Sequence, residues 1–166
     1  ATGAGYGIGA AKGITGDRKG YKAALLEGGI GVPFIARWPG KIAAGKVDAQ
    51  SIFSAVDLLP TFCELAGAKF PKGYRPDGLS QVKALQGKGQ HLRSKPLFWK
   101  MQSSWPIQKA RPYHWVSYAI VHQNWKLMTN RDSSYAELYD LATDPLEKND
   151  LAQQKPAVVQ GLLQQI

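Results

Sequence analysis

Lys22 is a side chain of a type that could do chemistry, and it lies five residues before Glu27-Gly28-Gly29. A lysine ammonium is a compact cation that can donate hydrogen bonds to an oxyanion and balance negative charge that develops during a reaction. An arbitrary lysine, however, is usually a solvated surface residue, and Arg18 and Lys19 lie close by in the sequence. Residue type alone therefore does not decide whether Lys22 contacts an anion or is a solvated surface charge.

The three histidines and the single cysteine form no recognisable site. No pair among His91, His114 and His122 has the spacing of metal ligands. His114 lies in an aromatic stretch and is a candidate for lining a sugar pocket, although such stretches more often pack structurally. Cys63 has no cysteine partner, so cysteine usage leaves the compartment undecided. The sequence therefore predicts no metal site.

The net charge of +9 predicts an anionic partner. Nucleic acid and a sulfated polysaccharide are the candidates, but no run of five basic residues occurs, which argues against a nucleic-acid-binding arm. A basic surface that only aids solubility, or that faces an acidic missing half, is the alternative. No apolar run reaches the length of a membrane helix, so no membrane partner is expected. The first residues also lack the basic start and apolar core of a signal peptide.

The part of the chain before Leu97 predicts one strand and two helices between irregular segments. The mostly apolar run from Val32 to Trp38 is typical of a buried strand. Ser54-Ala55-Val56-Asp57 is a capping box that opens a helix, and Gly67 ends it. A short helix is expected near Ser80–Gln86. The first helix has an apolar face formed by Leu58, Leu59, Phe62, Leu65 and Ala66.

The remaining residues predict an antiparallel sheet that carries a helix. Leu97–Trp99 is a short aromatic strand, and Glu137–Leu141 is another. Val116–Val121 and Trp125–Met128 flank a short polar turn, which indicates a hairpin. Pro156 starts the last helix at its first position. The buried stripe of that helix is expected to consist of Val158, Val159, Leu162, Leu163 and Ile166.

Four blocks, which follow one another in order, give the sequence its family resemblance. They are Gly20–Ile42, Ser54–Gly67, Pro76–Trp99 and Asn124–Ala152. Together they cover most of residues 17–166 and resemble the type I sulfatases, most closely the arylsulfatase A and N-acetylgalactosamine-6-sulfatase branch. The resemblance implies an α/β fold, α+β for this stretch. Residues 1–95 would be the remnant of the alkaline-phosphatase-like sulfatase domain, with a glycine-rich N-terminal loop, and 96–166 a small antiparallel sheet with a C-terminal helix.

The resemblance also shows which catalytic parts this chain lacks. A type I sulfatase uses a formylglycine made from Cys/Ser-X-Pro-X-Arg and a divalent metal, usually calcium, held by oxygen ligands. Cys63 is followed by neither the proline nor the arginine, and the Ser-X-Pro sequences at Ser94 and Ser104 lack the arginine. No cofactor is therefore expected in this chain, whereas calcium and formylglycine are expected in the complete enzyme.

Lys22 is the one active-site residue that the resemblance carries over, and its implied role is to hold the sulfate group. Glu27 is expected to be structural and to tie down the glycine turn. The family often has arginine after Gly-Gly-Ile, where this chain has Gly31, and this difference removes an expected ion pair.

The leading hypothesis is a C-terminal fragment of a sulfatase whose complete form hydrolyses sulfate esters, as in sulfated sugars, and which is inactive alone. The alternative is a stand-alone binding or interaction module from a truncated gene. An esterase acting on phosphate or phosphonate is disfavoured by the match at Trp125–Ala152. The expected partners are a sulfated carbohydrate or other small anion, and either a second copy or the missing N-terminal half. A complete family member would be periplasmic, secreted or lysosomal.

Overall fold

The computed structural model describes residues 15–20, 24–88, 93–101, 116–130, 132 and 135–166. Lys22, His91, His114 and the glycine-rich residues 1–14 lie outside the described residues. Contacts divide the chain into two compact units. We name them the sheet unit, which joins Ala1–Val32 to Leu97–Ile166, and the helix unit, which is Pro33–Pro96.

The two units follow from contacts within this chain and are not the domains expected from the sequence. The helix unit ends at Pro96, and the sheet unit resumes at Leu97. The segment before Val32, however, packs in the sheet unit. The division into 1–95 and 96–166 concerns the domains of the family fold and stays a prediction.

The regular elements of the described residues are four helices, one 3-10 turn and four strands. The helices are α1 Glu27–Ile30, α2 Leu58–Ala66, α3 Val82–Leu85 and α4 Pro156–Leu163, and the 3-10 turn Ala55–Asp57 leads into α2. The strands are β1 Leu97–Lys100, β2 Tyr118–His122, β3 Trp125–Thr129 and β4 Ala136–Asp140. They form one antiparallel sheet in the order β1-β2-β3-β4. The predicted strands after residue 96 and the final helix are confirmed.

The predicted hairpin is confirmed as β2 and β3. His122 pairs with Trp125, so Gln123 and Asn124 form a two-residue connection between the strands. Gln123 takes a left-handed φ of 55° at this turn. A tight connection of this kind fixes the register of the hairpin, and the register decides which side chains share a face.

One face of the sheet packs against α4. Successive strand residues point to opposite faces, and Ile120, Leu127 and Leu138 lie side by side on neighbouring strands. These three residues form a buried cluster with Val159 and Leu162 of α4. The expected packing of the C-terminal helix on the sheet is therefore confirmed.

The opposite face of the sheet packs against the segment that leads into α1. Its buried cluster joins three sheet residues to three residues of that segment: Ala119, Met128 and Tyr139 with Ala24, Leu25 and Leu26. The sheet is thus covered on both faces. This explains why its central strands contain nearly continuous apolar runs instead of a clean alternation of apolar and polar residues.

In the helix unit, α2 begins as the sequence predicts. The backbone N–H of Ser54 donates to Asp57 Oδ2 at 2.9 Å, which is the carboxylate half of a capping box. Gly67 ends the helix in a left-handed conformation with φ of 64°. The short helix expected near Ser80–Gln86 is α3.

The predicted strand from Val32 to Trp38 is wrong for the described chain. These residues form no ladder, and Val32 and Ile35 are 77% and 90% exposed. Phe34 finds a partner in Phe53, with ring centroids 4.2 Å apart. An apolar run becomes a strand only where another strand accepts its backbone hydrogen bonds, and no described strand lies beside this one. The run therefore stays extended and exposed.

The apolar face that the sequence gives α2 is not the face that is buried. Leu59 and Phe62 are exposed, whereas Asp57, Pro60 and Thr61 are buried. Thr61 Oγ1 donates to the carbonyl of Asp57 at 2.6 Å and accepts the backbone N–H of Gln81 at 3.0 Å. Polar contacts to the following loop, and not apolar packing, decide which face of α2 is buried.

We expect Leu127→Ala to lower the free energy of unfolding by about 2–5 kcal/mol, because it removes a fully buried side chain from the centre of the sheet. Leu59→Ala is the matched control. Leu59 is half exposed, so this change should cost less than about 0.5 kcal/mol. Urea denaturation followed by circular dichroism measures both. Equal losses in the two variants would contradict the described core.

Candidate functional site

Two described residues on either side of Lys22 in the sequence, Lys19 and Gly28, are joined through the backbone. The N–H of Gly28 donates to the carbonyl of Lys19 at 2.8 Å, so residues 19 and 28 close the segment that contains Lys22. Gly20, next to this closure, is buried and has a left-handed φ of 82°. We call residues 19–28 the lysine loop. The roles expected for Lys22 and His114 stay predictions, since both residues lie outside the described residues.

Gly28 allows the two ends of the lysine loop to approach closely. A Cβ atom at Gly28 would lie 2.4 Å from the carbonyl oxygen of Gly20 and 2.6 Å from that of Lys19. These neighbours are backbone atoms, which cannot swing away as a flexible side chain could. The close approach of the two loop ends therefore requires glycine at position 28, because any side chain would overlap backbone atoms.

A buried ion-pair cluster holds the Glu27 end of this loop. Lys126 Nζ lies 2.8 Å from Glu27 Oε1, to which it donates a hydrogen bond, and 2.8 Å from Glu147 Oε1. The second contact is an ion pair whose angles fall outside hydrogen-bond geometry. Glu147 Oε2 accepts the backbone N–H of Glu27 at 2.7 Å. The cluster thus ties α1 both to β3 and to the connection between β4 and α4.

The cluster is largely buried, which makes each of its charges depend on the others. The side chains of Lys126 and Glu147 have no exposed surface, and that of Glu27 is 19% exposed. Burial raises the pKa of Glu147, an effect that the Lys126 ammonium and the Glu27 N–H partly offset. Removing one partner of such a pair leaves an uncompensated buried charge. This geometry agrees with the structural role expected for Glu27.

The basic residues next to Lys22 are engaged with the protein. Lys19 Nζ donates to the hydroxyl of Tyr139 at 2.7 Å and lies 3.7 Å from Glu137 Oε1. Burial, and secondly the Glu137 charge, raise the pKa of Tyr139 well above its usual range, so its hydroxyl stays protonated at neutral pH. Arg18 Nη1 donates to the carbonyl of Gly31 at 3.1 Å. Both cations therefore hold the loop in place.

The helix unit has its own buried ion pair, between Asp57 and Arg93. Asp57 Oδ2 lies 2.5 Å from Arg93 Nη1, and both side chains are almost completely buried. Asp57 also accepts the backbone N–H groups of Ser54 and Leu79, at 2.9 and 2.8 Å. Within the described residues the Asp57 carboxylate thus contacts backbone N–H groups and this arginine, and through them it organises the helix unit.

The described residues contain no arrangement that could hold calcium. Nowhere in this part of the chain do three His, Cys, Asp or Glu side chains come together. The acidic groups that do lie close, Glu27 and Glu147, already share the Lys126 ammonium. These residues therefore do not fit a calcium ion, and no chemical step is assigned to a metal here.

None of the described helices has the length and hydrophobicity that crossing a bilayer requires.

Sequence reasoning identified the lysine loop but missed the residues that hold it. Lys126 and Glu147 are 99 and 120 residues away from Glu27, so no local spacing connects them. One signal was present, namely a lysine in the middle of the apolar strand Trp125–Met128. A charged residue at such a position is seldom buried unless it is paired, and a search for its acidic partner would have led to the cluster.

We expect Gly28→Ala to destabilise the chain by about 1–3 kcal/mol, since the new methyl group would overlap two backbone carbonyls. Gly161→Ala is the matched control, because nothing lies within 4 Å of a Cβ at this exposed position in α4. That change should be stabilising by about 0.5–1 kcal/mol through helix propensity. Thermal unfolding of both variants measures the difference. A neutral Gly28→Ala would show that the loop ends do not meet as described.

In comparisons with known proteins, the chain matches sulfatases. Residues 19–166 match the family model of N-sulphoglucosamine sulphohydrolase, C-terminal. An N-acetylgalactosamine-6-O-sulfatase of Bacteroides thetaiotaomicron is 32% identical over 145 residues, which cover 87% of this chain and 28% of the relative. The human steryl-sulfatase is 34% identical over 160 residues, covering 84% of this chain and 27% of the relative.

A solved structure extends the comparison to the fold. It comes from work on the metabolism of multiple glycosaminoglycans by Bacteroides thetaiotaomicron, and it matches with a TM-score of 0.66 at 27% identity. The match covers 90% of this chain and 31% of that one, so the chain spans less than a third of the length of these relatives. The expected alkaline-phosphatase-like fold, with its small antiparallel sheet and C-terminal helix, is confirmed. The chain belongs to the sulfatase family and corresponds to its C-terminal domain.

Proposed function

We propose that this chain supplies the sulfate-holding lysine to a sulfatase whose complete form hydrolyses sulfate esters of carbohydrates. The observation that carries the proposal is the match of residues 19–166 to the C-terminal sulfatase domain, with Lys22 at the family spacing from Glu27-Gly28-Gly29. The described geometry adds that Lys19 and Gly28, which lie on either side of Lys22 in the sequence, are joined by a backbone hydrogen bond. In this role the ammonium donates to sulfate oxygens and offsets charge that develops on them.

The contacts of the two neighbouring cations disfavour Lys19 and Arg18 as anion-binding groups. Lys19 is held by Tyr139 and Glu137, and Arg18 by the carbonyl of Gly31. A cation that already has a protein acceptor must give up that contact before it can bind an anion. The remaining basic side chain of this stretch, Lys22, is the one that the family places at the sulfate.

The proposed substrate class is a sulfated carbohydrate. One relative is named an N-acetylgalactosamine-6-O-sulfatase, and the solved neighbour comes from work on glycosaminoglycans. The net charge of +9 agrees with an extended anionic substrate. The competing class is a small apolar ester, since another relative is a steryl-sulfatase. Comparing a sulfated disaccharide with a steryl sulfate as ligands separates these classes.

The chemical step itself requires groups that this sequence does not contain. The formylglycine would come from a Cys/Ser-X-Pro-X-Arg sequence outside this chain, and calcium would be held by residues that also lie outside it. There, the formylglycine hydrate would supply the nucleophile, and the metal ion would stabilise charge on the sulfate. The contribution of this chain is the binding and orientation of the sulfate group.

We expect sodium sulfate to bind the purified chain weakly, in the millimolar range (~4 kcal/mol), and Lys22→Ala to weaken this binding. A single exposed lysine contributes on the order of 1 kcal/mol or less, so the loss should be a few-fold and should shrink as salt screens the contact. Isothermal titration at constant ionic strength measures the affinity. Lys155→Ala, which changes an exposed lysine near α4, is the control. Equal affinity of all three proteins would refute the role of Lys22.

We expect the purified 166-residue chain to show no turnover of a chromogenic aryl sulfate, with or without added calcium. The physical reason is the absence of the nucleophile, since a positioned cation alone supplies only part of the stabilisation of a transition state. The control is an intact sulfatase in the same assay. Turnover by the unmodified chain, retained after Lys22→Ala, would mean that the chain carries a different active site.

A further inference from the structure

We propose that the helix unit docks onto a β-sheet that belongs to the rest of a longer sulfatase chain. In this contact Pro33–Trp38 adds to the sheet as a strand, and α2 lays its exposed apolar side chains against the same partner. The surface consists of described residues of the helix unit. It does not include Lys22, and the docking does not depend on sulfate binding.

The backbone of residues 33–37 has no partner among the described residues. It forms no helix, strand or turn, and no backbone hydrogen bond joins it to another described residue. The chain turns only after this segment, where the N–H groups of Lys41 and Ile42 donate to the carbonyl of Trp38 at 3.0 and 2.8 Å. A row of free N–H and C=O groups is a template for pairing with a strand of another polypeptide. The segment therefore fits a partner that offers the open edge of a sheet.

The side chains of this segment are apolar on both faces that a strand would have. Successive side chains of a strand point to opposite faces, so Phe34 and Trp38 would share one face and Ile35 would lie on the other. Ile35 is 90% exposed, and Phe34 is half exposed although its ring stacks on that of Phe53. A strand that is apolar on both faces is typical of a sheet that is covered on both sides. The partner is therefore a layered sheet and not an isolated hairpin.

Helix α2 supplies an independent observation of the same kind. Leu59 and Phe62 lie three residues apart, on one side of the helix, and both are exposed. The buried residues of α2 are Pro60 and Thr61, and Thr61 makes polar contacts within the unit. The helix thus turns its polar side inwards and its apolar side outwards. In an α/β layer, a helix of this kind covers one face of the sheet with its apolar stripe.

Length and charge favour the rest of a sulfatase chain over a second copy as the occupant of this surface. The matched domain is the C-terminal one, and the chain covers 28% and 27% of two relatives, so most of each relative lies outside the match. The helix unit has ten Lys or Arg and four Asp or Glu residues, which gives it a net charge of +6. A second copy would bring the same positive charge to the contact, and this repulsion disfavours it.

The test takes the partner from the N-acetylgalactosamine-6-O-sulfatase of Bacteroides thetaiotaomicron. The part of this relative that lies outside its match is co-expressed with the full 166-residue chain. We expect a one-to-one complex in analytical ultracentrifugation. Amide hydrogen exchange within residues 34–37 should slow by at least about a hundredfold relative to the isolated chain, because their N–H groups gain acceptors. Exchange at Val47, which is equally exposed but is not part of the segment, should stay unchanged.

Ile35→Asp is the decisive substitution, with Val47→Asp as its matched control. Both side chains are 90% exposed, so neither change should affect the thermal unfolding of the isolated chain. Ile35→Asp should weaken the complex at least about tenfold, because it brings an unpaired charge into a buried contact. Val47→Asp should leave the affinity unchanged. Phe62→Gln tests α2 in the same way, and Glu64→Gln, at an exposed position of the same helix, is its control.

A single polypeptide provides a second measurement in case the two parts do not fold separately. In it, this chain replaces the matched segment of the relative. Ile35→Asp should lower the midpoint of thermal unfolding of the joined protein, and Val47→Asp should not. The same two variants of the isolated 166-residue chain should unfold at the same temperature, so the difference reports the contact and not the stability of the helix unit.

Three results would overturn the proposal. Absence of a complex, together with a joined protein that does not fold or that responds equally to Ile35→Asp and Val47→Asp, would show that the sulfatase sheet does not accept the segment. A complex without slower exchange at residues 34–37 would show that another surface binds. Self-association of the isolated chain with slow exchange at these residues would identify a second copy as the occupant. None of these results bears on sulfate binding, which Lys22→Ala tests separately.

Discussion

Lys126 brings a positive charge into the interior of the sheet unit, where it can be accommodated only between two carboxylates. One of these belongs to the chain before β1 and the other to the connection after β4, and the two glutamates are 120 residues apart. Apolar contacts also join these parts, but they are not directional. The ion pairs and the hydrogen bond to its backbone N–H restrict Glu27 to one position on the sheet. A buried ion pair is by itself weak evidence of added stability, whereas removing one partner leaves an uncompensated buried charge.

The helix unit is organised by the opposite distribution of polar and apolar groups. Its centre is the Asp57–Arg93 pair with the backbone N–H groups that Asp57 accepts. Large apolar side chains lie on its surface instead, including Phe34, Ile35 and Phe62. Exposed apolar surface of this kind is typical of an interaction site. Because the chain spans less than a third of its relatives, a second copy or a further part of a longer chain stays the predicted partner.

The features that the sequence predicted correctly depend on residues close together in the chain. The capping carboxylate of Asp57, the left-handed Gly67 and Pro156 at the start of α4 are examples. The wrong predictions concern burial, which requires a partner: Val32–Trp38 has the composition of a buried strand but no described strand beside it. The Lys126 cluster was missed for a related reason, because its members are brought together by the sheet register and not by spacing. The family resemblance located Lys22, which composition could not do.

The most direct test of the account is whether sulfate binds at Lys22. Selective 13C labelling of the lysine side chains allows each Cε signal to be followed by NMR during titration with sodium sulfate, with Lys22→Ala assigning the signal. The account predicts a saturable shift of the Lys22 signal at millimolar sulfate, with little change for Lys19, whose ammonium is held by Tyr139 and Glu137. Uniform small shifts of all exposed lysines, without saturation at Lys22, would contradict it.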